Sequence, residues 1–472
     1  MLFSFLRYWI SSRRTHRKPQ AFGVPLKANP IDQDTQALQP ALKRAHDLVT
    51  TGKASGAEAA YRDLLTRFPE EAQIHRELAT AIAFQGRASE AISVLRQALT
   101  TLCANDALTH YNLGILLQQQ SQWDEARSHY ERACDLAPDL FPARHNLALL
   151  CLLTGDYSAG WHHHEYRLYA PPPLPYWLTD VVPLHHDLGA ERQWKGEPVA
   201  RLLLWSEQGL GDNLMMMRYL PIIGQSGQPR RAQALTVYCE KPLIRLMQSI
   251  PGVDRVIEKP QSVRLDSFDR HCSLMSLPAI LGTRLDTIPP APYLHIEPPS
   301  RERWRERLKN TKGRKVGFTW AGRQKTPRLA RLSIAIPDLA PLFSLPDITW
   351  VSLRKNEHGS TGAPNSLPLL DWMDECTDLA DTAALMMELD LVISIDTAVA
   401  HLAGALGRPL WLLLPHTPEW RWLIGREDSP WYASARIFRQ QTPGDWGGVI
   451  DRVCAALGAD SQVDPGDLHK QG

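Results

Sequence analysis

The chain has 472 residues, 52 Lys and Arg against 51 Asp and Glu, a net charge of +1, and 44% hydrophobic residues. At ~150 residues per domain this length suggests about three domains, and the composition is that of a globular protein with a substantial core. The charge balance argues against a nucleic-acid binder, which needs excess basic side chains to displace counterions, and excludes an acidic disordered chain.

The 7 cysteines are widely spaced and contain no CxxC pair. That pattern argues against a disulfide framework or structural zinc and favours a reducing, cytoplasmic setting. No segment approaches the ~20 apolar residues needed to span a bilayer. The opening MLFSFLRYWI is apolar but is interrupted by Arg7 and followed by Arg13, Arg14, Arg17 and Lys18. A signal peptide has the reverse order of charge and apolarity. Residues 1–37 are expected to form a disordered basic tail, with at most peripheral contact to anionic lipid.

Residues 38–170 carry an internal period. Small residues recur at Ala45, Ala79, Gly114 and Ala148, spaced by 34, 35 and 34. A second small position recurs at Ala57, Ala91 and Ala126, with Gly160 in the last copy. Tyr61, Leu95 and Tyr130 follow four residues later, then Leu64, Ala98 and Ala133; Pro69 and Pro138 close the first and third units. Small residues at two fixed places let paired helices approach, and the large residue between them fills the groove. This pattern resembles the tetratricopeptide repeat, in about four copies. Such units stack into a solenoid with a concave surface, which implies a protein-binding groove; packing against the next domain is the alternative. The fourth copy, GDYSAGWHHHEYRLY, is atypical. His162, His163 and His164 point in different directions on a helix and make poor joint metal ligands, so aromatic capping is the better explanation.

The proline-rich APPPLPYW opens a linker over 171–199. Apolar runs of strand length then alternate with helical stretches: ARLLLWSE, ALTVYCE and VDRVI, and after a charged segment at 301–314, KVGFTWAG, DITWVSLR, LDLVISID and RPLWLLLP. Continuous apolar runs with helical crossovers predict buried parallel strands. Two such sets predict two Rossmann-like α/β domains, over 200–300 and 315–458, joined by a solvated helix and followed by a tail over 459–472. Ligands bind such sheets at the carboxyl ends of the strands.

Three turns stand there. In SEQGLGDN (206–213), Gly209 and Gly211 permit a tight turn, but Leu214 replaces the third glycine of a dinucleotide fingerprint. Glu207 and Gln208 end the strand, and Asp212 stands at a helix start, where it either accepts a proton from a substrate hydroxyl or only caps the helix. In ISIDTAVAHLAGALG (393–407), a strand runs into a helix whose unpaired N–H groups suit a phosphate, with Thr397 at its mouth. Asp396 is expected to bond backbone amides or to orient a ribose or His401; a core histidine is the alternative for His401. In AGRQKTPRLARLS (321–333), Lys325 and Arg331 are cations beside a strand end. Trp420 and Arg421, in a segment that also holds Trp422 and Trp431, suit a stacking surface or equally a domain interface.

Taken in order, WSEQGLGDNLMMMRYLP, LDLVISIDTAVAHLAGALGRPLWLLLP and PEWRWLIGREDSPWY resemble bacterial tetratricopeptide proteins with a glycosyltransferase domain. That domain is similar to the lipopolysaccharide heptosyltransferases of glycosyltransferase family nine, and more distantly to protein O-GlcNAc transferase. The resemblance covers about residues 194–455. It implies an α plus α/β chain: a tetratricopeptide solenoid followed by a GT-B pair, with the acceptor on the first α/β domain and the nucleotide-sugar on the second. It also implies metal-independent inversion without a cofactor, and the α/β part contains no DxD motif to hold a divalent cation. Carried over by position, Asp212 matches the proposed base, and Asp396, Thr397 and His401 match the donor segment. The basic loop departs from the family pattern because RLARLS intervenes, which leaves Arg331 and Lys325 as the candidates to meet the diphosphate. Competing readings are a non-catalytic interaction scaffold and a sugar-nucleotide epimerase.

Overall fold

A computed structural model describes residues 33–101, 104–224, 231–322, 332–355 and 367–460. The described residues fall into two compact units: a helical one of 33–154 with 162–173, and an α/β one of 155–161 with 174–460.

The helical unit runs through Gln33–Thr50, Ala54–Arg67, Ala72–Phe84, Ala88–Thr101, Ala107–Gln119, Trp123–Leu136 and Phe141–Thr154. The periodic small residues Ala45, Ala79, Ala148, Ala57, Ala91 and Ala126 are buried, as are Tyr61, Leu95 and Tyr130. Gly114 shows why the position must be small. A Cβ there would lie 2.7 Å from the ring of Tyr130, which comes from the next helix. The Tyr130 hydroxyl donates to Gln118 Oε1 at 2.8 Å and accepts from Asn146 Nδ2 at 3.3 Å, so the buried oxygen is satisfied.

The α/β unit holds two parallel sheets. The first comprises β1 (Val199–Trp205), β2 (Ala232–Cys239), β3 (Arg255–Glu258) and β4 (Arg270–Ser273), in spatial order β3-β2-β1-β4. Leu203 pairs with Thr236 on one side and with His271 on the other. The second comprises β5 (Arg314–Thr319), β6 (Ile348–Ser352), β7 (Leu370–Asp371), β8 (Leu391–Ile395), β9 (Leu410–Leu414) and β10 (Ala435–Arg439), in order β10-β9-β8-β5-β6-β7. Renumbered from β5, this is the doubly wound order 3-2-1-4-5-6, and the first sheet is its four-stranded counterpart. The strand order reverses between β1 and β4 in one sheet and between β5 and β8 in the other. The turns after β1, β5 and β8 therefore border the crevices where such sheets bind ligands.

β8 and β9 are buried along their whole length, as their apolar runs require. Sequence patterning missed β4, β7 and β10. RHCS, LD and ARIFR are short or polar, and only their pairing to a longer neighbour makes them strands. The charged segment also differs from expectation. Its helix, Pro298–Leu308, buries Trp304 fully, and Arg301 and Arg305 pair with Glu388 at 2.6 and 3.3 Å. It is fastened to the second lobe by that indole and those ion pairs, so it is not a purely solvated connector.

In the helical unit, Gly114→Ala should overpack the Tyr130 pocket and cost about 1–3 kcal/mol. The fall would be read as a lower urea midpoint at unchanged slope.

Candidate functional site

The turn after β1 is closed by one side chain. Asn213, fully buried, accepts from Glu207 N–H at 3.2 Å and donates to the carbonyls of Glu207 (3.0 Å) and Gly209 (2.9 Å). Gln208 is forced to φ 60°, a left-handed conformation uncommon outside glycine. Gly209 is the N-cap of the helix Leu210–Met216 and donates its N–H to Asp212 Oδ2 at 3.0 Å. Asp212 is thus the third residue of the helix, and its carboxylate caps the helix by accepting from the N-cap amide. Glu207 turns inward: it is buried and accepts from the Ser273 hydroxyl at the end of β4, so it anchors the turn.

The second turn follows β8. Thr397 is the N-cap of the helix Ala398–Ala405, and its Oγ1 shares a hydrogen with Ser394 Oγ at 3.2 Å. A Cβ on Gly322, the last described residue before the basic loop, would lie 3.4 Å from the Thr397 methyl. His401, one turn into the helix, is buried beneath Trp422 (ring centroids 5.1 Å apart, 26° between planes). Its Nδ1 lies 3.0 Å from the Tyr432 hydroxyl and its Nε2 3.7 Å from Asp396 Oδ1. Burial, with Arg218 nearby adding to it, lowers the His401 pKa to about 3, so the ring is neutral.

These two turns meet. A Cβ on Gly211 would lie 2.6 Å from His401 Cδ2, so the helices Leu210–Met216 and Ala398–Ala405 approach at the residue preceding Asp212. Asp212 Oδ1 then pairs with Arg421, which follows β9 on the second lobe. Both side chains are largely covered, 14% exposed for Asp212 and 11% for Arg421. Burial pulls the Arg421 pKa down to about 10, so the guanidinium remains charged at neutral pH. It also lies 4.6 Å over the Trp420 ring and 3.8 Å from Glu419.

Of the two alternatives for Trp420, its surroundings match an interface. It is buried, edge-on to Trp161 at 5.3 Å and to Trp431 at 6.0 Å, and Trp431 Nε1 donates to the Tyr157 hydroxyl at 2.8 Å. The Arg421 guanidinium lies over the Trp420 ring. Lys325 and Arg331 lie outside the described residues.

Sequence reasoning missed Tyr432, Asn213 and Arg218. Arg218 is buried and donates to the carbonyls of Met215, Pro289 and Trp431, each at 2.9 Å, while its Cζ lies 4.8 Å from the Tyr293 ring centre and 5.0 Å from that of Trp431. It ties the first lobe to the second through carbonyls and aromatic faces. A lone arginine within MMMRYLP is the signal that could have found it; Tyr432, 31 residues from His401, had none. Among the described residues no group of three or more His, Cys, Asp or Glu is placed to hold a metal ion, and no helix is long and apolar enough to cross a membrane.

The repeats and the paired α/β lobes define a two-part protein, a helical repeat array with a doubly wound unit. Residues 42–107 and 107–140 match tetratricopeptide-repeat models, and residues 376–444 match glycosyltransferase family 9 (heptosyltransferase). The chain is thus similar to tetratricopeptide-repeat proteins over residues 42–140 and to glycosyltransferase family 9 over residues 376–444. The family 9 match includes Asp396, Thr397, His401 and Arg421; Asp212 lies outside it. The chain is 27% identical to Protein FlbA of Caulobacter vibrioides, in an alignment spanning 82% of this chain and 73% of that one. It is 26% identical over 106 residues to Photosystem I assembly protein Ycf3 of Synechococcus elongatus, 22% of this chain and 61% of that one. Among solved structures it is similar to MamA (21% identity, 31% of this chain and 86% of that one, TM-score 0.25) and to PilF of Pseudomonas aeruginosa (20%, 33% and 72%, TM-score 0.29).

The neutral His401 carries a pH signature. Its folded pKa is below the ordinary 6.5, so its contribution to stability is complete above pH 6.5 and is lost as pH falls toward about 3. Urea midpoints measured from pH 7 to pH 4 should decline in the native protein, and His401→Gln should flatten that decline.

Proposed function

We propose that the α/β unit transfers a glycosyl group from a nucleotide-sugar to a hydroxyl, with inversion and without a metal or other cofactor, and that the repeats recruit a protein acceptor or partner. The observation that supports this most is the contact of Gly211 with His401. It puts the carboxylate of Asp212 and the N-terminus of the helix Ala398–Ala405 along one seam, bordered by the crevice turns of both sheets.

In this reading the acceptor oxygen attacks the anomeric carbon from the face opposite the leaving group, while Asp212 takes the hydroxyl proton. The bond from the anomeric carbon to the phosphate oxygen breaks, and its electron pair leaves with the nucleotide. The amides at the helix mouth by Thr397 stabilise that charge. Asp396 and His401 shape the donor side: the ring adds no charge, and Asp396 stands beside it at the end of β8. The family 9 match over the second lobe supports the donor assignment.

A non-catalytic scaffold is the second reading, and one observation favours it: Asp212 is already neutralised by Arg421. A mass-spectrometric donor screen with cell extract as acceptor separates the two. Transfer of a sugar is expected, and Asp212→Asn should lower the rate by about 10²–10⁴-fold. Undiminished turnover in that variant would remove Asp212 from the base role, and absence of transfer with every donor would favour the scaffold.

A further inference from the structure

Both oxygens of Asp212 are engaged. Oδ2 accepts from the Gly209 N–H at 3.0 Å, and Oδ1 is paired with Arg421. A carboxylate with both oxygens engaged in this way has none aimed at an acceptor hydroxyl, which a general base requires. The other contacts of Arg421 are weaker than this pairing. Beyond Asp212 it has a carboxylate at 3.8 Å, longer than a hydrogen bond, and the face of Trp420. Arg218, the other buried cation of this seam, has its donors committed to three carbonyls, and His401 is neutral. Arg421 is therefore the charge with an exchangeable partner, and a guanidinium matches phosphate oxygens as well as it matches a carboxylate.

We propose that Arg421 is a latch on the base: it holds Asp212 in the nucleotide-free protein, and the phosphate of an incoming nucleotide takes the guanidinium and releases the carboxylate. This rests on the glycosyl-transfer reading and adds a coupling to it. The base is unmasked only when the donor is seated, which limits activation of water in an empty site. Arg421 is then a positioning residue before the donor arrives and a phosphate ligand afterwards.

Two anions that compete for one cation are thermodynamically linked, and removing one must strengthen the other. Calorimetric titration of the full chain with UDP, GDP, ADP and CMP, in the native protein, Asp212→Asn, Arg421→Gln and the double variant, tests this without any turnover. For whichever nucleotide binds the native protein, Asp212→Asn should bind about five- to tenfold more tightly. Arg421→Gln should bind more weakly, and adding Asp212→Asn to it should bring no gain. If Arg421→Gln loses its cooperative melting transition, Arg421→Lys replaces it in the cycle and should show a reduced gain. Equal or weaker binding by Asp212→Asn, where the native protein binds, would overturn the latch and leave the transfer reading standing. Binding of none of the four by the native protein would overturn both.

Discussion

The missing side chain at Gly211 sets how closely the two α/β lobes meet. His401 occupies the space a Cβ would take, so the first helix of one lobe and the helix after β8 of the other touch at their opening turns. Helix openings carry unpaired amides and partial positive charge. Joining two of them concentrates that charge where the strand order of each sheet reverses. Asp212 follows Gly211 directly, and Asp396 lies just before the helix Ala398–Ala405, with Oδ1 3.7 Å from His401 Nε2. The candidate site is thus a consequence of one close approach.

The side chains of the seam are buried or largely covered, and its electrostatics follow from that. A buried charge must be paired or heavily hydrogen-bonded, or it is abandoned. Each ionisable group here takes a different course. Arg218 is solvated by carbonyls and aromatic faces, in place of water. His401 gives up its charge and stacks on Trp422. Arg421 keeps its charge by meeting Asp212. The pairing is the arrangement most open to competition, because another anion can replace the carboxylate without leaving the cation bare.

The aromatic cluster of Tyr157, Trp161, Trp420 and Trp431 supports this arrangement from behind. Its rings fix the short turn that carries Arg421, so residues 155–161, which continue the repeat sequence, fold as part of the α/β unit. The atypical fourth repeat is accounted for on that basis: Trp161 serves a packing role against Trp420.

Repetition and hydrophobic runs were legible in the amino-acid order because they are local. The alternation of small and large residues at a period of 34 or 35 specifies stacked helix pairs, and five- to eight-residue apolar runs specify buried strands. Asp212, Thr397 and His401 were legible as candidates for the same reason, since each stands where a strand gives way to a helix. The partners of those residues were not. Arg421 lies 209 positions from Asp212, and Tyr432 lies 31 from His401, distances over which spacing carries no geometry. The polar strands β4 and β10 and the inward turn of Trp420 and Glu207 were likewise decided by neighbours brought up in folding. Periodicity records how a segment meets its own backbone; which side chain faces which across a seam is fixed only when separate segments are packed together.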